Sequence, residues 1–168
     1  TPLANLVNLR LLDLMENRIV DIAPLANLSE LEVLDLGINR ISDLLPLADL
    51  VNLEQLDLGE NQIGSISSLA DLSSLRVLSL NDNQISDISP LERLTGFHNL
   101  RLSHNRISDI SPLVVNNQAG GLGPGSSVDL RYNYLDLTPG SRAMTDIQSL
   151  IERGVGVEYE CKDRYMDW

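Results

Sequence analysis

Apolar residues return along this chain at a fixed interval. In "LRLLDLMENRIVDIAPLANL" (residues 9–28) leucines stand at Leu9, Leu12 and Leu14, followed by Asn17, Ile19, Ile22, Pro24, Leu25 and Leu28. The order repeats in "LRVLSLNDNQISDISPLERL" (residues 75–94), with Leu75, Leu78, Leu80, Asn83, Ile85, Ile88, Pro90, Leu91 and Leu94. Asn17, Asn39, Asn61, Asn83 and Asn105 are each 22 residues apart. A fixed period in this range predicts stacked units, none of which buries its apolar face alone. The L-x-L segment alternates apolar and polar positions and predicts a half-buried strand. One strand per unit, stacked at about 4.8 Å, makes a parallel sheet. Leu12 and Leu14 then point inward and Asp13 outward. An Asn at the end of each strand can turn inward and hydrogen-bond the backbone of the bend, satisfying polar groups that otherwise cost about 1–3 kcal/mol each. On the opposite side, Ser89 and Ser111 are expected to N-cap short helical turns, with Pro90 and Pro112 in the first position.

The pattern L-x-x-L-x-L-x-x-N-x-I resembles that of leucine-rich repeats of the 22-residue class, and "ISDISPLxxL" is most similar to the bacterial internalin-type version. The resemblance covers about residues 3–137. It implies an α/β fold: a right-handed leucine-rich repeat solenoid with its parallel β-sheet on the concave face and short 3₁₀ or one-turn helices on the convex face. It also implies a protein-binding module, no enzyme, at a bacterial cell surface or secreted.

Three segments depart from the period. "TPLANL" (1–6) aligns with "APLANL" (23–28), so the first coil is incomplete; internalin-type proteins carry an N-terminal helical cap that this sequence lacks. Either a longer natural protein or end-to-end contacts at that uncapped edge is expected, with a monomer otherwise. Pro112 lies sixteen residues before Val128, whereas Pro90 lies ten before Leu100, an insertion of six within residues 113–127. "VVNNQAGGLGPGSS" is expected to be a transition loop on the convex or side connection, with a dedicated binding loop as the alternative; Val114 and Val115 extend its convex turn into a longer helix. "VDLRYNYLDL" then resumes the beat with Asn133 in the Asn position. In "SRAMTDIQSLIERG", Ala143, Ile147, Leu150 and Ile151 share one helical face and Gly154 suits the C-terminal stop; "VGVEYE" reads as a last strand. The division is therefore repeats over 1–139, a helix-strand cap over 140–160 and a tail over 161–168.

Composition narrows the partners. The 168 residues carry a formal net charge of −12. That argues against nucleic acid, whose phosphates need clustered Lys and Arg, and no apolar run approaches the ~20 residues of a membrane helix. One cysteine, Cys161, permits no internal disulfide. The charge is uneven: residues 1–84 hold 4 Arg against 13 acids, and residues 85–168 hold 8 basic against 11 acidic residues.

Outward strand positions fall into three columns free to carry specificity. One runs Leu11, Val33, Gln55, Val77, Asn99, Ser127; the next Asp13, Asp35, Asp57, Ser79, Arg101, Asp129; the third Met15, Gly37, Gly59, Asn81, Ser103, Arg131. Glu16, Glu32, Glu54 and Glu60 edge the acidic end, and His98, Arg101, His104 and Arg131 the other. The candidate ligand-binding residues are Asp13, Asp35, Asp57, Ser79, Arg101, Asp129, Val33, Gln55, Val77, Asn99, Asn81, Arg131 and Tyr132. The expected face is an acidic patch grading into a mildly basic one, suited to a protein or peptide with a basic segment. Two readings of the Asp column stand side by side: a habit of the repeat, or a ligand contact. A scaffold or regulatory spacer within a larger protein is the alternative function.

Candidate chemistry adds little. His98 and His104 lie roughly 20 Å apart along an extended strand and share neither metal nor proton. "GGLGPGSS" fits neither G-x-G-x-x-G nor a P-loop. A flat column with one carboxylate per coil does not wrap the six to eight oxygens calcium takes. No cofactor, metal or catalytic residue is assigned. Asn27-Leu28-Ser29 is a formal glycosylation sequon.

Overall fold

A computed structural model describes residues 2–160. Seven three-residue strands form one parallel sheet in chain order: β1 (Leu11–Asp13), β2 (Val33–Asp35), β3 (Gln55–Asp57), β4 (Val77–Ser79), β5 (Asn99–Arg101), β6 (Ser127–Asp129) and β7 (Gly156–Glu158). The register places Leu12, Leu34, Leu56, Leu78, Leu100, Val128 and Val157 side by side. Opposite the sheet lie 3₁₀ turns at Pro2–Asn5, Ala23–Leu25, Leu45–Leu47, Ser67–Leu69 and Ser89–Leu91. Between the two layers the leucines and isoleucines of successive coils make one aliphatic core, and Phe97 substitutes for the leucine of that column. Leu12 and Leu14 are only half-buried, because a neighbouring coil covers one side of theirs and both sides of the later ones.

The asparagine ladder forms as the period predicts. Asn105 Nδ2 donates to the carbonyls of Leu80, Leu102 and Ser103 at 2.8–3.2 Å, and its Oδ1 accepts from Ile85 N–H at 3.0 Å. Asn39, Asn61, Asn83 and Asn133 repeat this arrangement. Each side chain therefore ties three segments: its own bend, the end of the preceding strand and the chain beyond the preceding Asn.

The expected serine caps are corrected. Ser89 and Ser111 are the first residues of their elements; Ile88 and Ile110 stand in the capping position, with no side-chain cap bond. The capping acceptor comes from an aspartate two residues before each serine: Asp87 Oδ1 accepts from Ser89 N–H and Asp109 Oδ1 from Ser111 N–H, both at 2.9 Å. Asp21 and Asp43 serve Ala23 and Leu45 likewise. These aspartates follow Asn17, Asn39, Asn83 and Asn105 by four residues, with Ser65 in that place after Asn61, a periodic signal the sequence offers as openly as the leucines. The carboxylate suits the place because its two-residue reach is that of an Asx turn.

Each coil turns away from its strand through a residue with positive φ: Glu16, Ile38, Glu60, Asp82, His104 and Tyr132, all at 54–57°. This region penalises any side chain with a Cβ, and β-branched ones most. Ile38 is the β-branched member of the set. Ile38→Asn is expected to raise stability by about 1 kcal/mol, read as a higher urea midpoint at unchanged slope; Glu60→Asn, at a residue without the β-branch, serves as the smaller-effect comparison.

The insertion is built rather than loose. Ser111–Gln118 forms a helix, α1, that takes up Val114 and Val115 as expected. Asn116, fully buried, donates from Nδ2 to Leu91 and Leu94 carbonyls at 2.8 Å and accepts Leu122 N–H at 2.8 Å. Its amide lies against Gly121, where a Cβ would collide with it. Ser126 Oγ donates to Phe97 O at 3.0 Å. The six extra residues are thus stitched to the preceding coil before β6 begins.

After β6, Ser141 caps a second helix, α2 (Arg142–Glu152), by accepting Met144 N–H, and α2 buries Ala143, Ile147 and Leu150. Ile151, expected on the same face, is 40% exposed instead. α2 packs on α1 and β7, and β7 pairs with β6. The expected tail, with Cys161, Tyr165 and Trp168, lies outside the described residues.

Candidate functional site

The outward strand positions form one face, and most expected site residues reach it. Asp13, Gln55 and Arg101 are exposed, and Val33, Asp35, Asp57, Val77, Asn81, Asn99, Asp129 and Arg131 are half-buried. Ser79 does not belong to the accessible set: it is 4% exposed, and its Oγ donates to Asn81 Oδ1 at 2.8 Å, with Asn81 lying over it.

The aspartate column has a structural task. Asp13, Asp35, Asp57 and Asp129 each accept, through Oδ1, the N–H two residues on, at 2.8–3.1 Å. The strand ends there, so those N–H groups have no partner in the ladder, and a short acidic side chain supplies one. At the same positions Gly37 and Gly59 keep the next column low: a Cβ on Gly37 would stand 3.2 Å and 3.3 Å from the carboxylate oxygens of Asp35 and Asp57. The carboxylates thus stand side by side over a trough without side chains.

Asp35, in the middle of the run, has its pKa raised. Burial is the largest cause, with the neighbouring charges of Asp57 and Asp13 adding to it against the bond from Gly37. A raised carboxyl pKa means that the folded state holds its proton to higher pH than the unfolded chain. The favourable contribution is therefore full below the unfolded pKa of about 3.9 and lost as pH rises through the folded value. Asp35→Asn keeps the acceptor for Gly37 N–H and removes the charge. It is expected to stabilise the protein at pH 7 by a few tenths of a kcal/mol, with the difference vanishing near pH 3.5; thermal melts across that range measure it.

Two of the four flanking acids face arginines. Glu32 pairs with Arg10 at 3.3 Å and Glu54 with Arg76 at 4.0 Å. All four side chains are largely exposed, so these pairs trim the field more than they stabilise the fold. The net acidic field of this end comes from Asp13, Asp35, Asp57, Glu16 and Glu60.

At the far end fewer cations are available than the sequence suggests. Arg131 grips Asp129 in a fork, Nε to Oδ1 and Nη2 to Oδ2, both 2.8 Å, and reaches Glu158 on β7 at 3.2 Å. Burial alone would raise the Asp129 pKa, but the bonds from Arg131 and Ser103 outweigh it and hold it below the usual range. Its bond to Asp129 and the charge of that carboxylate in turn push the guanidinium of Arg131 up. One cation is thus consumed by two carboxylates, and β7 supplies an acid that strand counting over the repeats alone overlooks. Arg101, His98 and His104 carry what basic character remains. Between these groups lies an open depression of about 490 Å³ lined by Asn81, Asn99, Arg101, Ser103, Ser127, Asp129, Arg131 and Glu158.

At the rim of this face, His104 and Tyr132 stack with ring centroids 4.1 Å apart and planes 20° from parallel. Both occupy the positive-φ position of their coils, one step before Asn105 and Asn133, so counting back from each Asn already aligns them across the insertion. The glycine-rich loop lines a separate open depression of about 520 Å³ with Arg76 and His98. Its amides are spent internally: Gly120, Gly121, Leu122 and Gly123 N–H donate to Asn117 O, Asn116 O, Asn116 Oδ1 and Ser126 Oγ. No row of free N–H groups is left there to cradle a phosphate. Among the described residues no group of three or more His, Cys, Asp or Glu is arranged to hold a metal ion, and no helix is long and apolar enough to cross a membrane.

A family model described as leucine-rich repeats, two copies, matches residues 7–49, 51–93 and 73–115. The chain belongs to the leucine-rich-repeat family. Within that family it is internalin-like. A solved internalin from Listeria monocytogenes, internalin F, is 36% identical with a TM-score of 0.81, and the match covers 95% of this chain and 45% of that one. Internalin C2 of the same organism is 34% identical with a TM-score of 0.78, covering 95% of this chain and 65% of that one. This leucine-rich-repeat chain therefore spans under two thirds of either internalin. The ectodomain of the plant receptor kinase GASSHO1/SCHENGEN3 from Arabidopsis thaliana shares the fold at 24% identity and a TM-score of 0.70, over 92% of this chain and 18% of its own. No curated protein sequence matches significantly. A leucine-rich repeat of this kind is a protein-interaction module.

Proposed function

We propose that this leucine-rich-repeat module binds a protein or peptide ligand on the sheet face, with a basic segment of the ligand lying along Asp13, Asp35 and Asp57. The observation that carries the reading is the run of three carboxylates in register on adjacent strands, above the trough at Gly37 and Gly59. Their Oδ1 atoms serve the backbone, which explains why aspartate stands there. That use does not neutralise the charge, and no ion pair holds any of the three among the described residues. Like charges held this close attract a cationic partner at long range and favour one orientation of approach. The internalin likeness supports a bacterial surface or secreted setting, with recognition or adhesion as the task; a spacer within a longer protein is the competing role.

The test is selection from a displayed library of random dodecapeptides on the immobilised chain, repeated on Asp35→Asn/Asp57→Asn. Asparagine retains the acceptors for Gly37 and Gly59, so the face keeps its shape. Peptides rich in Lys and Arg are expected from the native chain, with enrichment at least tenfold lower on the variant. Glu30→Lys/Asp71→Lys, off the sheet face, should leave the selection as it was. Equal enrichment of basic peptides on the native chain and on the asparagine variant sinks the reading.

A further inference from the structure

We infer that the rim of the sheet face at the last two asparagine coils, built from His104, Arg106, Tyr132 and Tyr134, is a second contact for the ligand and takes an acidic group flanked by an apolar side chain. It extends the sheet-face reading above and rests on it for the presence of a ligand nearby.

The four residues form a two-by-two patch. His104 and Arg106 precede and follow Asn105; Tyr132 and Tyr134 do the same around Asn133. The asparagine ladder holds the two bends in register, with Asn133 Oδ1 accepting Ile107 N–H at 3.0 Å and Tyr134 N–H donating to Ile107 O at 2.8 Å. Tyr132 is 47% and Tyr134 68% exposed. The imidazole of His104 stacks on Tyr132 and thereby holds that ring in place. A ring already fixed loses little freedom when a partner packs on it. Exposed tyrosines beside arginine are also the composition that dominates interface energetics, and the other coils put Glu16, Ile38, Glu60 and Asp82 where these put His104 and Tyr132.

Charge selects the occupant. Arg106 bonds only the neutral Gln84, at 3.1 Å, and has no carboxylate partner among the described residues. Its guanidinium is therefore open to a two-pronged bond from a carboxylate. Asp82 lies 3.9 Å from His104 Nδ1 and also accepts from Asn81 Nδ2 at 2.9 Å. The rim thus offers an open guanidinium that the aspartate trough, two and more coils away, lacks. A ligand meeting both has a basic segment toward β1–β3 and an acidic, apolar one toward the rim, which fixes its direction across the face.

The same dodecapeptide library decides the matter, with one arm carrying free C-termini and one carrying the peptides internally, to separate a terminal carboxylate from an Asp or Glu side chain. It is selected on the native chain, on Arg106→Glu and on Tyr132→Ala/Tyr134→Ala. All three altered side chains are exposed or lie at the surface bend, and thermal melts confirm retained folding. Native selections are expected to enrich peptides pairing an acidic group with an aromatic or aliphatic neighbour. Arg106→Glu should lower that class at least tenfold and favour Lys or Arg in its place, and the tyrosine double variant should lower it without changing the preferred charge. An acidic class equally frequent on the native chain and on Arg106→Glu overturns the rim contact alone, provided that basic peptides still depend on Asp35 and Asp57. Loss of that dependence with the acidic class intact overturns the sheet-face reading alone. A native chain that enriches neither class overturns both.

Discussion

Asn105→Ala is expected to destabilise the protein by about 3–4 kcal/mol, whereas Asn17→Ala costs less than about 1 kcal/mol. The two residues occupy the same position of the repeat and differ only in their surroundings. Asn105 is 4% exposed and makes four hydrogen bonds that reach two coils. Removing its amide leaves Ile85 N–H and the carbonyls of Leu80, Leu102 and Ser103 without that partner, in a layer that water does not reach. Asn17 is exposed and its Nδ2 bonds only Leu14 and Met15 carbonyls of its own bend, which water can serve after truncation. In a solenoid the stability of the whole depends on each neighbour interface. Loss at Asn105 should therefore also broaden the urea transition by uncoupling the coils on either side. Urea unfolding of both variants checks the contrast; equal losses would falsify the ladder as the source of coupling.

Asn116→Ala is the second large effect, about 2–4 kcal/mol. Its fully buried amide is the joint between the insertion and the coil before it. Without it, Leu122 N–H and the Leu94 carbonyl lose that partner, the Leu91 carbonyl keeps only Leu94 N–H, and the segment 119–126 is the part free to open to water. Hydrogen exchange should therefore rise first at Leu122 and Ser126, while the amides of β2–β4 hold their protection. Gly121→Ala is expected to act through the same joint, since its Cβ collides with the Asn116 amide. Combining the two changes should cost clearly less than the sum of each alone, the mark of residues sharing one contact. A fully additive pair would place the joint elsewhere.

These two predictions divide along what can be read from sequence. Asn105 was legible because a ladder position recurs, and recurrence at 22 residues has one physical meaning, a coil stacked on its copy. Asn116 lies where the insertion begins, so the sequence shows only a polar residue at the place where the other coils put Leu28, Leu50, Leu72 and Leu94. The expectation of a transition loop rested on glycine content; the amide that closes the loop became visible only when Leu91, Leu94 and Leu122 were placed around it. The serine caps failed for a smaller reason. Ser-Pro fits a known helix start, and that local pattern drew attention from the aspartate column two residues earlier, whose reach is what the turn uses.

The sequence by itself determined the coil, its parallel sheet, its aliphatic core, the inward asparagines and the outward columns. Each of these follows from identical residues meeting identical surroundings every 22 positions, so local pattern and tertiary contact carry the same information. Only the tertiary structure decided which outward groups remain available. Arg131 is spent on Asp129 and Glu158, Glu32 and Glu54 face Arg10 and Arg76, Ser79 lies under Asn81, and His104 stacks on Tyr132. These outcomes depend on side-chain reach across neighbouring coils and on a cap strand that joins the sheet from outside the repeat. Charge along the chain fixes the total, whereas distance between side chains fixes what a partner meets.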